Sequence, residues 1–95
     1  MPSPNAVILL ARNEGALRRA RALESQVTHP SMKRSIEDVL SVLRGVPDSL
    51  KQATDGANPR AEREEIAQTL QAQAAVLEQL ELLVRVHGPD VEWMP

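Results

Sequence analysis

Apolar residues recur at helical spacing in three stretches of the chain, and the clearest pattern lies in the middle. Met32, Ile36, Val39, Leu43 and Val46 follow one another at steps of four, three, four and three, with Leu40 beside them. Such spacing puts every member on one helix face and resembles a coiled-coil seam. It predicts a helix over residues 31–46. An earlier stretch, 6–27, carries Leu9, Ala16, Ala20, Leu23 and Val27 on one face, a thinner stripe that still suits close helix approach. The third stretch, 59–87, repeats Ile66, Leu70, Gln73, Leu77, Leu80, Val84 and His87, while Val76 and Leu83 widen its apolar side.

Breakers separate these segments. Thr28-His29-Pro30-Ser31 should end the first helix, because the residue before a proline avoids the α region. Gly45-Val46-Pro47-Asp48 should end the second, with a short helical turn through Leu50-Lys51-Gln52 before the loop Thr54-Asp55-Gly56-Ala57-Asn58. Asn58 and Pro59 then form a helix start, an N-cap side chain followed by proline at the first helical position. Gly88 and Pro89 mark the stop. Residues 1–5 and 89–95 read as tails.

The last helix would run about 43 Å at 1.5 Å per residue. A stripe of that length needs a long antiparallel partner, and the middle helix is the candidate. Two helices leave apolar surface open. The expectation is therefore one all-α domain, a coiled-coil-like antiparallel helical hairpin that pairs as a homodimer into a four-helix arrangement. Its core or dimer seam would be Ile36, Val39, Leu43, Ile66, Leu70, Leu77, Leu80 and Val84.

Composition agrees with helices. The 95 residues include no Phe and no Tyr, and Trp93 is the one aromatic. Strands favour aromatic residues and β-branched runs, and the shortage of both argues against a sheet. There is no cysteine, so disulfides and thiolate metal sites are out, and a cytoplasmic setting is the expectation. The apolar run Ala6–Ala11 is too short for a membrane span. Arg12, Arg18, Arg19 and Arg21 would suit a transit peptide, but Glu14 and Glu24 interrupt it.

Net charge is −2, unevenly placed: the basic residues gather in the first half and the acidic ones in the second. An acidic second half repels phosphate and attracts basic protein surfaces. The arginines of the first helix spread around it, which reads as solubility and ion pairing rather than a nucleic-acid stripe.

Catalytic patterns are missing. His29 and His87 have no companions at ligand spacing. No phosphate loop, nucleophile elbow or zincin motif occurs. Glu62, Glu64 and Glu65 read as a solvated first turn of the third helix, and His87 as a residue suited to its negative C-terminal pole. The expectation is a binding protein without enzyme activity, metal or cofactor. Gln73 is read as a glutamine tolerated at the seam, with register-setting as the alternative. Trp93 could pack back on the bundle or anchor a contact.

One resemblance gives the binding role a form. Gly45-Val46-Pro47-Asp48-Ser49-Leu50-Lys51 resembles a Leu-Pro-Glu-Thr-Tyr-Lys run of the TraM family of quorum-sensing antiactivators. The intervals from Pro47 to Pro59 and from Pro59 to Pro89 are similar too. Ala72-Gln73 followed by Leu77 and Leu80 resembles a family stretch with a one-residue offset. Lys33-Arg34, Ile36 and Glu37 look like its Arg-Arg-Leu-Val-Glu segment. The likeness spans roughly residues 31–91. It implies a cytoplasmic helical dimer without cofactor that binds the DNA-binding domain of a LuxR-type activator such as TraR. Operator binding is thereby blocked and conjugal-transfer or other quorum-regulated transcription is inhibited. Two family contact positions match Val46 and Glu64, although the family carries tyrosine at the second. Val46, Leu50, Glu64, Gln68 and the exposed side of residues 60–81 are the expected partner contacts. Pro30 departs from the family, where the corresponding part is uninterrupted helix, and the first thirty residues have no match. A helical secretion chaperone or assembly adaptor, also without catalytic residues, is the alternative.

Overall fold

The computed structural model describes residues 5–93. They form three helices, α1 (Ala6–Gln26), α2 (Pro30–Thr54) and α3 (Pro59–His87), with no strand among the described residues. Half of the expected tails, residues 1–4 and 94–95, lies outside the described residues. Asn5 is no tail residue: its side-chain oxygen accepts from the Ile8 N–H at 2.9 Å and caps α1. That satisfies one of the N–H groups a helix start leaves without a partner.

The starts of α2 and α3 and the end of α3 are also closed by named groups. Pro30 opens α2, and His29 precedes it as the cap, its Nδ1 accepting from the Ser31 N–H at 3.1 Å. Asn58 caps α3 through the Ala61 N–H at 3.3 Å, with Pro59 at its first position. At the far end Gly88 adopts φ 96°, which L side chains disfavour, and its N–H donates to the Val84 carbonyl at 2.8 Å.

The expected break at Pro47 does not occur. α2 continues through it to Thr54. An interior proline removes one backbone hydrogen bond and costs about 3 kcal/mol. Beyond Pro47 the apolar repeat goes on, however. Leu50 and Ala53 extend the face of Val46 and are buried. Burying a leucine is worth roughly 1.5–3 kcal/mol, enough with the added helix bonds to hold the last two turns.

The three helices pack each against the other two, within a body 45 × 24 × 21 Å. α3 alone, at about 1.5 Å per residue, accounts for the long axis. α1 is part of this core: Leu9, Ala16, Ala20, Leu23 and Val27 are buried together with Met32, Ile36, Val39, Leu40, Leu43, Val46 and Leu50 of α2 and Leu70, Leu77 and Leu80 of α3. Apolar surface that a two-helix hairpin would leave open is therefore covered in large part by α1 of the same chain. Asn13 falls between Leu9 and Ala16 on the α1 stripe and is buried with it, its Oδ1 accepting no hydrogen bond.

Residues beyond α3 return across the α1–α2 connection. The Thr28 N–H donates to the Pro89 carbonyl at 2.9 Å, and the Trp93 N–H to Ser31 Oγ at 2.8 Å. Trp93 is half-buried against the core. Its indole thus packs on the bundle rather than standing out as an anchor.

Candidate interaction surface

Among the described residues no group of three or more His, Asp and Glu side chains could hold a metal ion. No helix of the described residues is long and apolar enough to cross a membrane. What the bundle offers is helix surface, and α3 offers most. Its inner face buries Leu70, Leu77 and Leu80, with Ile66 and Val84 half-buried beside them. Together with buried Ile36, Val39 and Leu43 of α2, these eight residues line the inside of a single chain.

The expected partner contacts separate into two groups. Glu64 and Gln68 are exposed on α3. Val46 and Leu50 are each 3% exposed. They are core residues and present nothing to a partner while the bundle is closed. The expectation for them is corrected by the continuation of α2 through Pro47, which joins the helix end at Val46 and the short turn at Leu50 into one buried helix face.

Around Glu64 the surface is acidic. Glu62 and Glu65 are exposed as well, and Glu62 leans toward the α2–α3 connection, its carboxylate lying over Gly56. Arg60 lies 3.6 Å from Glu64 one turn away, with both side chains more than half exposed. Such a pair is worth no more than about 1 kcal/mol and leaves Glu64 open to a second cation. Farther along, Glu81 bonds Arg19 of α1. The hydrogen bond from Arg19 to Glu81 raises the guanidinium pKa above its ordinary value, against a smaller lowering by burial. Glu81 is thus committed to holding α1 on α3, whereas Glu62, Glu64 and Glu65 face solvent.

One feature of α3 escaped the sequence reading. Gln68, Ala72, Ala75, Gln79, Leu82 and Val86 are all exposed, and they too are spaced four, three, four, three and four. Leu82 is 52% and Val86 64% exposed. The spacing was present in the sequence, but alanine and glutamine do not announce a seam, and the richer inner stripe drew the assignment. His87 ends α3 exposed rather than continuing that inner stripe.

Comparison with protein-family models, curated proteins and solved structures yields no match. The functional reading therefore rests on the chain's own surface and on the resemblance carried by its residues.

Proposed function

We propose that this protein is an antiactivator. It binds a LuxR-type quorum-sensing transcription factor in the cytoplasm, through the DNA-binding domain, and keeps that factor from its operator. In this reading α2 and α3 form an antiparallel hairpin with α1 laid along it. The chain is not an enzyme and needs no cofactor. It pairs with a second copy when the activator is absent.

The observation that carries the reading is the exposed acidic start of α3, Glu62, Glu64 and Glu65 with Gln68 beside them. A DNA-reading domain is basic where it meets phosphate. An acidic helix face of this kind complements it, raising association rate and selectivity. The resemblance to the TraM family over roughly residues 31–91 supports the same partner class, with Glu64 as the shared contact position. Val46 and Leu50, being buried, are left out of the contact.

The test is co-purification of the tagged protein with LuxR-type regulators of its own host, then a DNA-shift assay with the captured regulator. The expected result is that added protein abolishes the shift. A variant carrying Glu64→Arg and Glu65→Arg, folded by circular dichroism, should lose that effect. Capture of secretion or assembly components, with no regulator among them, would replace this reading by the chaperone or adaptor one.

A further inference from the structure

The outer stripe of α3 is an apolar-centred helix face that the described residues of its own chain leave exposed. From Gln68 to Val86 it keeps the spacing of a coiled-coil seam, and Ala61 and Glu65 continue it toward the helix start, also exposed. A shallow open groove runs along its middle past Ala75, Val76, Glu78, Gln79 and Leu82. Beside the seam, at seven-residue intervals, stand Glu64, Gln71, Glu78 and Arg85. This flank is acidic at the start of the helix and basic at its end.

We propose that a second copy of this chain docks on this face, α3 against α3, antiparallel, with the two-fold axis between Ala72 and Ala75. The inference rests on the homodimer part of the function proposed above and names its interface. Charge selects the direction. In a parallel pair these flank residues would instead face the other side of the second copy's seam, Glu64 against Thr69, Gln71 against Val76 and Glu78 against Leu83, and no opposite charges would meet within the helices. Turned antiparallel, Glu64 faces Arg85 of the second copy, and by symmetry Arg85 faces its Glu64.

The same charges select the register. With the axis between Ala72 and Ala75, Gln71 faces Glu78 of the second copy, and Gln68 meets its Gln79 across the seam. Their amides can donate and accept in both directions. Sliding one helix by a heptad in either direction places a glutamate against a glutamate: Glu78 on Glu78 one way, Glu64 on Glu78 the other. At the axis four alanines meet, two from each copy, so the helices can approach at the close end of the usual 8–10 Å. Leu82 and Val86 lie toward the ends of the contact, where they lose solvent against the second copy's Glu65 stem and Ala61.

A single helix pair is smaller than a standard interface of about 1,600 Å². The dimer is therefore a small, concentration-dependent association rather than an obligate one. Glu64 and Gln68 belong to both surfaces, so a second copy and the activator exclude each other there.

The chain has no cysteine, which makes disulfide trapping clean. Gln68→Cys and Gln79→Cys are made singly in the full chain, one carrying a size tag, and oxidised alone and mixed. The expected result is a tagged–untagged disulfide dimer in the mixture and little dimer in either variant alone. In the proposed register each cysteine lies about 16 Å along the axis from its own counterpart, beyond the reach of a disulfide. Self-crosslinking of each variant as efficient as the mixed pair would overturn the antiparallel pairing. Light scattering of the unaltered chain across concentrations accompanies the trap. A dimer that the mixed pair does not trap overturns this interface and leaves the homodimer reading standing, whereas a monomer at every concentration overturns both. As a second arm, Arg85→Glu should weaken association about tenfold, and adding Glu64→Arg in the same chain should restore it. Failure of the restored pair overturns the register.

Discussion

α3 carries two stripes of the same spacing on opposite faces. Leu70, Leu77 and Leu80 on the inner one are 5%, 0% and 0% exposed, while Leu82 and Val86 on the outer one are 52% and 64% exposed. Both would pass as coiled-coil seams. They differ in what flanks them. The inner stripe is leucine-rich and meets α1 and α2. The outer one is mostly alanine and glutamine with charge alongside. Helical spacing therefore tells which residues share a face. The apolar area of that face, and the helices available to cover it, decide whether it becomes core or surface.

Substitutions at paired positions should separate the two faces by size of effect. Leu77→Ala removes a fully buried side chain and should cost about 2–5 kcal/mol in urea unfolding. Leu82→Ala, five residues on, should change it by less than about 0.5 kcal/mol at low protein concentration. Equal effects would mean that the outer stripe is covered within one chain.

The next contrast lies in α2, whose buried face runs past a proline on its exposed side. Pro47→Ala restores the missing backbone bond and should raise stability by about 1–3 kcal/mol. No gain would show that the helix has already adjusted around residue 47. On α1 the inner stripe contains a polar member. Asn13→Leu keeps the size and removes a buried oxygen without a hydrogen bond, so a gain of about 1–2 kcal/mol is expected in thermal unfolding. A loss instead would mean that the amide is bonded in solution.

A small effect is expected at the border between the faces, where Arg19 of α1 meets Glu81 of α3. The pair is partly exposed, and Arg19→Ala should cost no more than about 1 kcal/mol, a difference that shrinks in 1 M salt. The guanidinium pKa is raised on folding. Its contribution is thus present in full below the unfolded-state value, and is lost only as pH rises through the folded-state one, far into alkali. A unit-charge effect of Arg19 appearing near neutral pH would contradict this.

The helices were legible because their signals are local. The apolar stripe of α1 and that of α2 as far as Val46 were legible, and Asn58-Pro59 and Gly88-Pro89 bounded α3 as caps should. Pro47 misled because the cost of a proline is local, whereas the burial of Leu50 and Ala53 that offsets it depends on helices distant in sequence. Asn13 went unnoticed because its side chain is polar, although its spacing placed it in the stripe. For Trp93 the sequence left packing on the bundle and anchoring a contact both open, and its bond to Ser31 could not be read from it, since it joins residues 62 positions apart.

By itself, then, the sequence determined that the chain is helical, where α3 begins and ends, and which residues share each face, because dihedral preferences, caps and periodicity act within a turn or two. Only the tertiary structure decided that α1 completes the core, that Val46 and Leu50 are closed to partners, and that the second stripe of α3 stays open. Those outcomes depend on which apolar faces find each other, and the contacts that settle it join residues far apart along the chain.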